Sequence, residues 1–149
     1  MAYVRKALLG DAFILAPKLR PIDVQECLAV FSTPLEALSS AIQNSKASWT
    51  IVEDDGTVIG SFGVSESSVK FVGYAWLLAS EELHKHSKRF LKQSRAFVAE
   101  MKQHYPVLIN YVDVRNTKSL LWLKWLGFTI DTKPIEYGLL KLPHFKFVG

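Results

Sequence analysis

The 149-residue sequence has a single cysteine, Cys27, and therefore no means of closing an internal disulfide. Val24, Leu28 and Phe31 around it read as one side of an apolar helix, which makes Cys27 a buried thiol rather than a nucleophile. No apolar run is long enough to span a bilayer, and the stretch from Met1 to Phe13 lacks the unbroken apolar centre of a secretion signal. Both absences point to the cytoplasm. There is no Gly-Lys-Ser/Thr phosphate loop and no Gly-x-Ser-x-Gly turn, so the commonest nucleotide-binding and serine-hydrolase devices are excluded. His84 and His86 stand two apart, but no further His or Cys is near and lysines flank them, so no metal site is expected.

What is present suits one globular domain over residues 1–149. Apolar residues make up 49% and charged residues 21%, with four Trp and nine Phe to build a core. The net charge of +4 is mild. Lys85, Lys88, Arg89, Lys92 and Arg95 follow one another with no acidic residue between them. That pattern reads as a solvated helix face, too modest to argue for nucleic acid.

The pattern along the chain alternates strands and helices. Ala2 to Lys6 reads as a first strand, and Asp11 as the N-cap of a helix that Pro17 and Pro21 interrupt. Helical patterns follow over Ile22–Phe31 and Pro34–Asn44, the latter with Thr33 as N-cap and proline in its first position. Residues 48–53 and 57–64 are rich in β-branched and aromatic side chains, and Asp55-Gly56 between them is a strong hairpin signal. Val69–Leu78 is the next strand. Glu81–His104 is the clearest helix, with Ser80 as its N-cap and an inward stripe of Leu83, Ser87, Phe90, Leu91, Ser94, Phe97, Val98 and Met101. Val107–Val114 is a strand, and Asn116–Leu126 a short helix ended by Gly127, with Ser119, Trp122, Leu123 and Leu126 inward. Phe128–Ile130 and Ile135–Leu142 close the sheet. The fold class is α/β (α+β), with a mixed, mostly antiparallel sheet and helices on both faces.

The segment Asn116-Thr-Lys-Ser-Leu-Leu-Trp-Leu-Lys-Trp-Leu-Gly-Phe128, entered from the Val107–Val114 strand, resembles the corresponding part of the GNAT N-acetyltransferase superfamily. The Asp54-Asp55-Gly56 hairpin followed by Val58-Ile59-Gly60 resembles its second and third strands. The stretch from Tyr111 to Phe128, with the Trp76 strand and the basic helix after it, is closer still to small GNAT-like proteins of tailed bacteriophages. That likeness implies an internal virion or morphogenesis role for some members.

The resemblance implies acetyl-CoA as cofactor and an amine as acceptor. It places the cofactor's pyrophosphate at the start of the long helix, on a glycine-rich turn whose N–H groups meet the phosphates. Here that segment, Ala79 to Arg89, contains no glycine, and Lys85, Lys88 and Arg89 stand where side chains would have to meet the anion. The tyrosine that protonates the departing thiolate has its counterpart in Leu123, with Tyr111 as a substitute. Glu66, following the 57–64 strand, and Asp113, ending the Val107–Val114 strand, are the candidate bases, and Asn116 either contacts the cofactor or caps its helix. Two readings follow: an acyl-CoA-dependent N-acyltransferase or acyl-CoA binder, and a non-catalytic phage protein of the virion or of host interaction.

Overall fold

Eight strands form one sheet: β1 (Tyr3–Lys6), β2 (Ser45–Val52), β3 (Val58–Glu66), β4 (Val72–Ala79), β5 (Val107–Asp113), β6 (Thr129–Ile130), β7 (Ile135–Tyr137) and β8 (Leu142–Val148). The computed structural model describes residues 2–30, 33–137 and 141–149. In space the order is β1-β2-β3-β4-β5-β8-β6, with β7 following β6 along the outer edge of β8. Every pairing is antiparallel except β4 with β5, which is parallel.

Local chemistry fixes the centre of this sheet. Gly56 adopts φ of 90°, a conformation open to glycine, and the Asp55 carboxylate accepts the Thr57 N–H at 2.9 Å. The turn brings Trp49 opposite Phe62 and Thr50 opposite Ser61, as the Asp-Gly signal predicts. The two aromatic rings stack at 5.3 Å.

Helices α1 (Gly10–Leu15), α2 (Pro21–Val30) and α3 (Pro34–Asn44) cover one face, where Leu15, Cys27, Leu38 and Val58 are buried with Trp76 and Leu78 against them. Helices α4 (Ser87–His104) and α5 (Thr117–Trp125) cover the other, around Phe62, Phe90, Leu108, Val112 and Leu123. No helix among the described residues is long and apolar enough to cross a membrane. Thr33 caps α3 as expected, accepting the Glu36 N–H at 3.1 Å, and Gly127 takes φ of 93° after α5. The predicted end of α2 at Phe31 lies outside the described residues.

Four expectations need correction. Asp11 lies inside α1 rather than capping it, because its carboxylate is drawn to Arg5 (2.8 and 3.0 Å), the Leu8 N–H (2.8 Å) and the Thr50 hydroxyl (2.7 Å). The long helix is divided: Glu81–His86 is a 3₁₀ segment and α4 begins at Ser87. Glu81–His84 and Glu82–Lys85 pair three residues apart, the spacing at which a 3₁₀ helix eclipses its side chains. The Ser80 hydroxyl, expected as a cap, donates instead to the Ile59 carbonyl. The closing strands are redistributed, since β8 begins only at Leu142 and inserts between β5 and β6; residues 138–140 of the predicted Ile135–Leu142 strand lie outside the described residues.

Trp122, expected on the inward face of the short helix, packs against the core without being enclosed by it. It is half-buried, tilted against Phe90 of α4 at 5.3 Å, with its indole N–H donating to Ser94 at 3.3 Å. Trp122→Ala should therefore cost about 2 kcal/mol in chemical denaturation, below the roughly 3–5 kcal/mol of a fully buried tryptophan. A loss in that upper range would mean that the ring is sequestered as a core residue is.

Candidate active site

The sheet opens between its two parallel strands. β4 and β5 pair only at Val72–Val107, Gly73–Leu108 and Tyr74–Ile109, then part. At the fork the Asn110 side chain takes over from the backbone, its amide N–H donating to the Ala75 carbonyl at 2.9 Å while its oxygen accepts the Tyr111 N–H at 2.8 Å. At the far end of β4 the start of α2 clasps Ala79: the Arg20 N–H donates to its carbonyl (2.8 Å), and its own N–H donates to the Asp23 carboxylate (2.9 Å). Backbone groups alternate in direction along a strand, so the N–H and C=O of Leu77, midway between these fastened positions, also point into the gap. A cavity of about 980 Å³ runs through it and is lined from both faces of the sheet.

On the α2 face the cavity reaches Glu26. Its carboxylate accepts the Asn116 amide N–H at 3.2 Å and the Asp113 backbone N–H at 3.3 Å. Burial pushes its carboxyl pKa up, the neighbouring Asp23 and Asp113 charges push it further, and the bonds from Asn116 and Asp113 oppose them, leaving it raised to about 7. A carboxylate so poised can take a proton near neutrality. Three tyrosines from three strands, Tyr74, Tyr111 and Tyr137, line the same cavity. Tyr111 and Tyr137 stack at 4.3 Å. Burial raises the Tyr137 pKa, and the nearby Tyr74, Tyr111 and Glu26 add to the rise. Cys27 is buried and borders the cavity, and burial first, then Asp23 and Glu26, pushes its thiol up to about 12. So protonated a thiol is no nucleophile.

The candidates read from the sequence fall in different places. Tyr111 and Asn116 line the cavity, and Asn116 also caps α5 by accepting the Ser119 N–H at 3.3 Å. Asp113 is buried, and its carboxylate holds Arg115 through both oxygens, at 2.6 and 2.9 Å. Those bonds hold its carboxyl below the usual range, so it is a weak base. Glu66 is exposed and borders the cavity opposite Gly73, at the end where β4 and β5 are still paired. Lys85, Lys88 and Arg89 are exposed and are not among the residues lining it. Lys85 is tied to Glu82 at 2.8 Å, and Arg89 borders a small hollow beside Ala2, Val4 and Ile51. The two histidines meet carboxylates: His84 pairs with Glu81 at 3.1 Å and His86 with Glu53 at 2.6 Å.

No protein-family model and no curated protein matches the sequence. Solved structures do match along nearly its whole length. Ard1 from Thermoplasma volcanium superposes with a TM-score of 0.73 over 99% of this chain and 96% of its own, at 15% identity. A GNAT-family acetyltransferase from Streptococcus pneumoniae gives 0.70 over 100% and 98%, at 12% identity. The fold is that of the GNAT acetyltransferases. A GNAT-superfamily phosphinothricin acetyltransferase from Sinorhizobium meliloti, solved in complex with AcCoA, gives 0.69 over 99% and 87%, at 16% identity. At such identities the likeness carries the GNAT fold alone, and the chemistry must come from this chain's own side chains.

The sequence reading missed Glu26. It stands beside Cys27 in a helix whose polar residues all look alike in one dimension, while its partners lie 87 and 90 residues away. Asn116 was the available signal, since an N-cap asparagine has an amide N–H to spare once its oxygen is committed.

Proposed function

We propose that this protein is an acyl-CoA-dependent N-acyltransferase in which Glu26 accepts the proton of the acceptor amine. The observation that carries this reading is the position of Glu26. It lies at the opening between β4 and β5, with its carboxyl raised to about 7 and oriented by Asn116.

The cleft fits an acyl-CoA in its middle and not at its entry. Leu77 offers a peptide edge on which an extended amide chain could add as a strand does, beside the apolar walls of Phe62, Phe90 and Leu123. The Ser80–His86 entry has no glycine, and Lys85 is neutralised by Glu82. Lys88 and Arg89, which stand outside the cavity lining, would have to meet the pyrophosphate at the mouth, and we assign Asn116 to the cofactor's path. When bound, the cofactor supplies a thioester carbon open to attack by a neutral amine. The chain must do the rest. Glu26 removes the proton that keeps the amine cationic, holding it at a carboxylate oxygen. Asn116 fixes that carboxylate, and Arg115 keeps Asp113 from competing for the proton. We assign Tyr111 as the acid that protonates the departing thiolate, since Leu123 has no proton to give.

A second reading keeps the GNAT fold without catalysis, as a phage virion, morphogenesis or host-interaction protein. The glycine-free entry and Leu123 favour it. Calorimetric titration with acetyl-CoA separates the two. Saturable binding is expected, weakened at least about tenfold by the double substitution Lys88→Ala with Arg89→Ala. No binding at millimolar acetyl-CoA leaves the non-catalytic reading. Equal binding by the double variant keeps the enzyme but moves the phosphate site.

A further inference from the structure

The α2-side half of the cavity holds a carboxylate whose bonds come from neutral donors alone. Around Glu26 the other carboxylates already have partners. Asp23 holds Arg20 through both oxygens at 2.9 Å, and Asp113 holds Arg115. Glu26 has none of this kind among the described residues; its two bonds come from a neutral amide and a peptide N–H. The acidic side chains lining the whole cavity are Glu26 and Glu66, and the basic ones are Lys46 and His144. Buried carboxylates are ordinarily matched by a cation, because desolvating an unmatched charge is costly. A cation entering the cleft would match the Glu26 carboxylate.

The surroundings say what kind of cation. Tyr74, Tyr111 and Tyr137 stand around the same space, with Tyr111 and Tyr137 stacked at 4.3 Å and Tyr137 close enough to Glu26 to feel its charge. A primary ammonium has three N–H donors. One carboxylate and neighbouring phenol oxygens can accept all three, and the ring faces accommodate an alkyl chain and attract its charged end. A guanidinium would need planar, bidentate acceptors, whereas Glu26 has one oxygen already engaged twice. An amino acid's own carboxylate would bring a second negative charge beside Glu26, Asp23 and Asp113. An aromatic amine, neutral near pH 7, would leave Glu26 unmatched.

We infer that the α2 face of the cleft is a binding site for a primary alkylammonium with no carboxylate beside it, seated on Glu26 among Tyr74, Tyr111 and Tyr137. A free alkylamine and the end of a lysine side chain are the two sources of such an ammonium. This site rests on the acyltransferase reading for its role as acceptor site, but not for binding itself, and the two can be tested apart.

The test is titration of the protein alone, without acetyl-CoA, followed by two-dimensional amide NMR. n-Butylamine should bind saturably and shift the amides of Tyr111, Asn116 and Tyr137. n-Butanol and butyrate, the same chain with a neutral and an anionic head, should bind at least about tenfold more weakly. Glu26→Gln, which preserves shape and removes charge, should weaken butylamine at least about tenfold, and Tyr137→Phe should weaken it further than it weakens butanol. Nα-acetyl-lysine methylamide distinguishes the sources: tighter binding than butylamine assigns a peptide lysine, and weaker binding a free amine. Equal affinity for butylamine and butanol would overturn the inference, as would undiminished amine binding in both Glu26→Gln and a folded Glu26→Asp. Amine binding without any transfer from acetyl-CoA would retire the enzyme and leave this site standing.

Discussion

Glu26→Gln should lower kcat/KM for amine acetylation by about 10²–10⁴-fold, the usual contribution of a positioned base. The pH profile is the sharper measurement. Because the base must be ionised, the kcat/KM of the unsubstituted protein should rise with pH through a midpoint near 7, where Glu26 titrates. That limb should vanish in Glu26→Gln. A midpoint unmoved by the substitution would assign the limb to another group. Stability should move the opposite way. The folded carboxyl titrates near 7 and an ordinary one near 4.5, so its contribution is complete below the lower value and is lost as pH rises through the higher. Between those values the unsubstituted protein should lose stability relative to Glu26→Gln, which carries no charge to desolvate.

Asp23→Ala should be the most damaging single substitution to the fold, at roughly 3–5 kcal/mol by equilibrium denaturation. Asp23 is fully buried, and its carboxylate is shared between the Arg20 guanidinium and the Ala79 N–H. Removing it strands a guanidinium that is itself only 7% exposed, together with a backbone donor. A domain of ordinary stability, about 5–15 kcal/mol, would lose a large share of it. Replacing both Arg20 and Asp23 by leucine should cost less than Asp23→Ala alone, since no orphaned charge remains. A single-substitution loss below about 1 kcal/mol would mean that water reaches the pair.

What sequence could and could not reveal divides along contact distance. The Asp55-Gly56 turn, the Thr33 cap and the Asn116-to-Gly127 helix each bind their own neighbours within a few residues, and each forms where the pattern placed it. The parallel pairing of β4 with β5, and their parting, is what a GNAT resemblance implies and not what periodicity shows, because nothing within either strand encodes its neighbour's direction. β8 was misplaced because Pro143 and His144 interrupt its apolar run, although the burial of His144 between β5 and β7 depends on both. Glu26 was invisible for a different reason. A helix has only one polar side in the sequence, and whether that side meets water or a gap in a sheet is decided by strands folded far along the chain.

The Asn110 amide stands in for a missing peptide at the point where β4 and β5 separate. In mechanical terms it arrests a crack. Hydrogen bonds behind it are shared among successive residues, but the load of any force prying the strands apart falls first on this one side chain. Strain at the mouth would therefore reach this bond before any backbone bond of the pairing behind it. An aspartate there would offer the Ala75 carbonyl no donor, and the tip of the opening would be free to travel toward Tyr74.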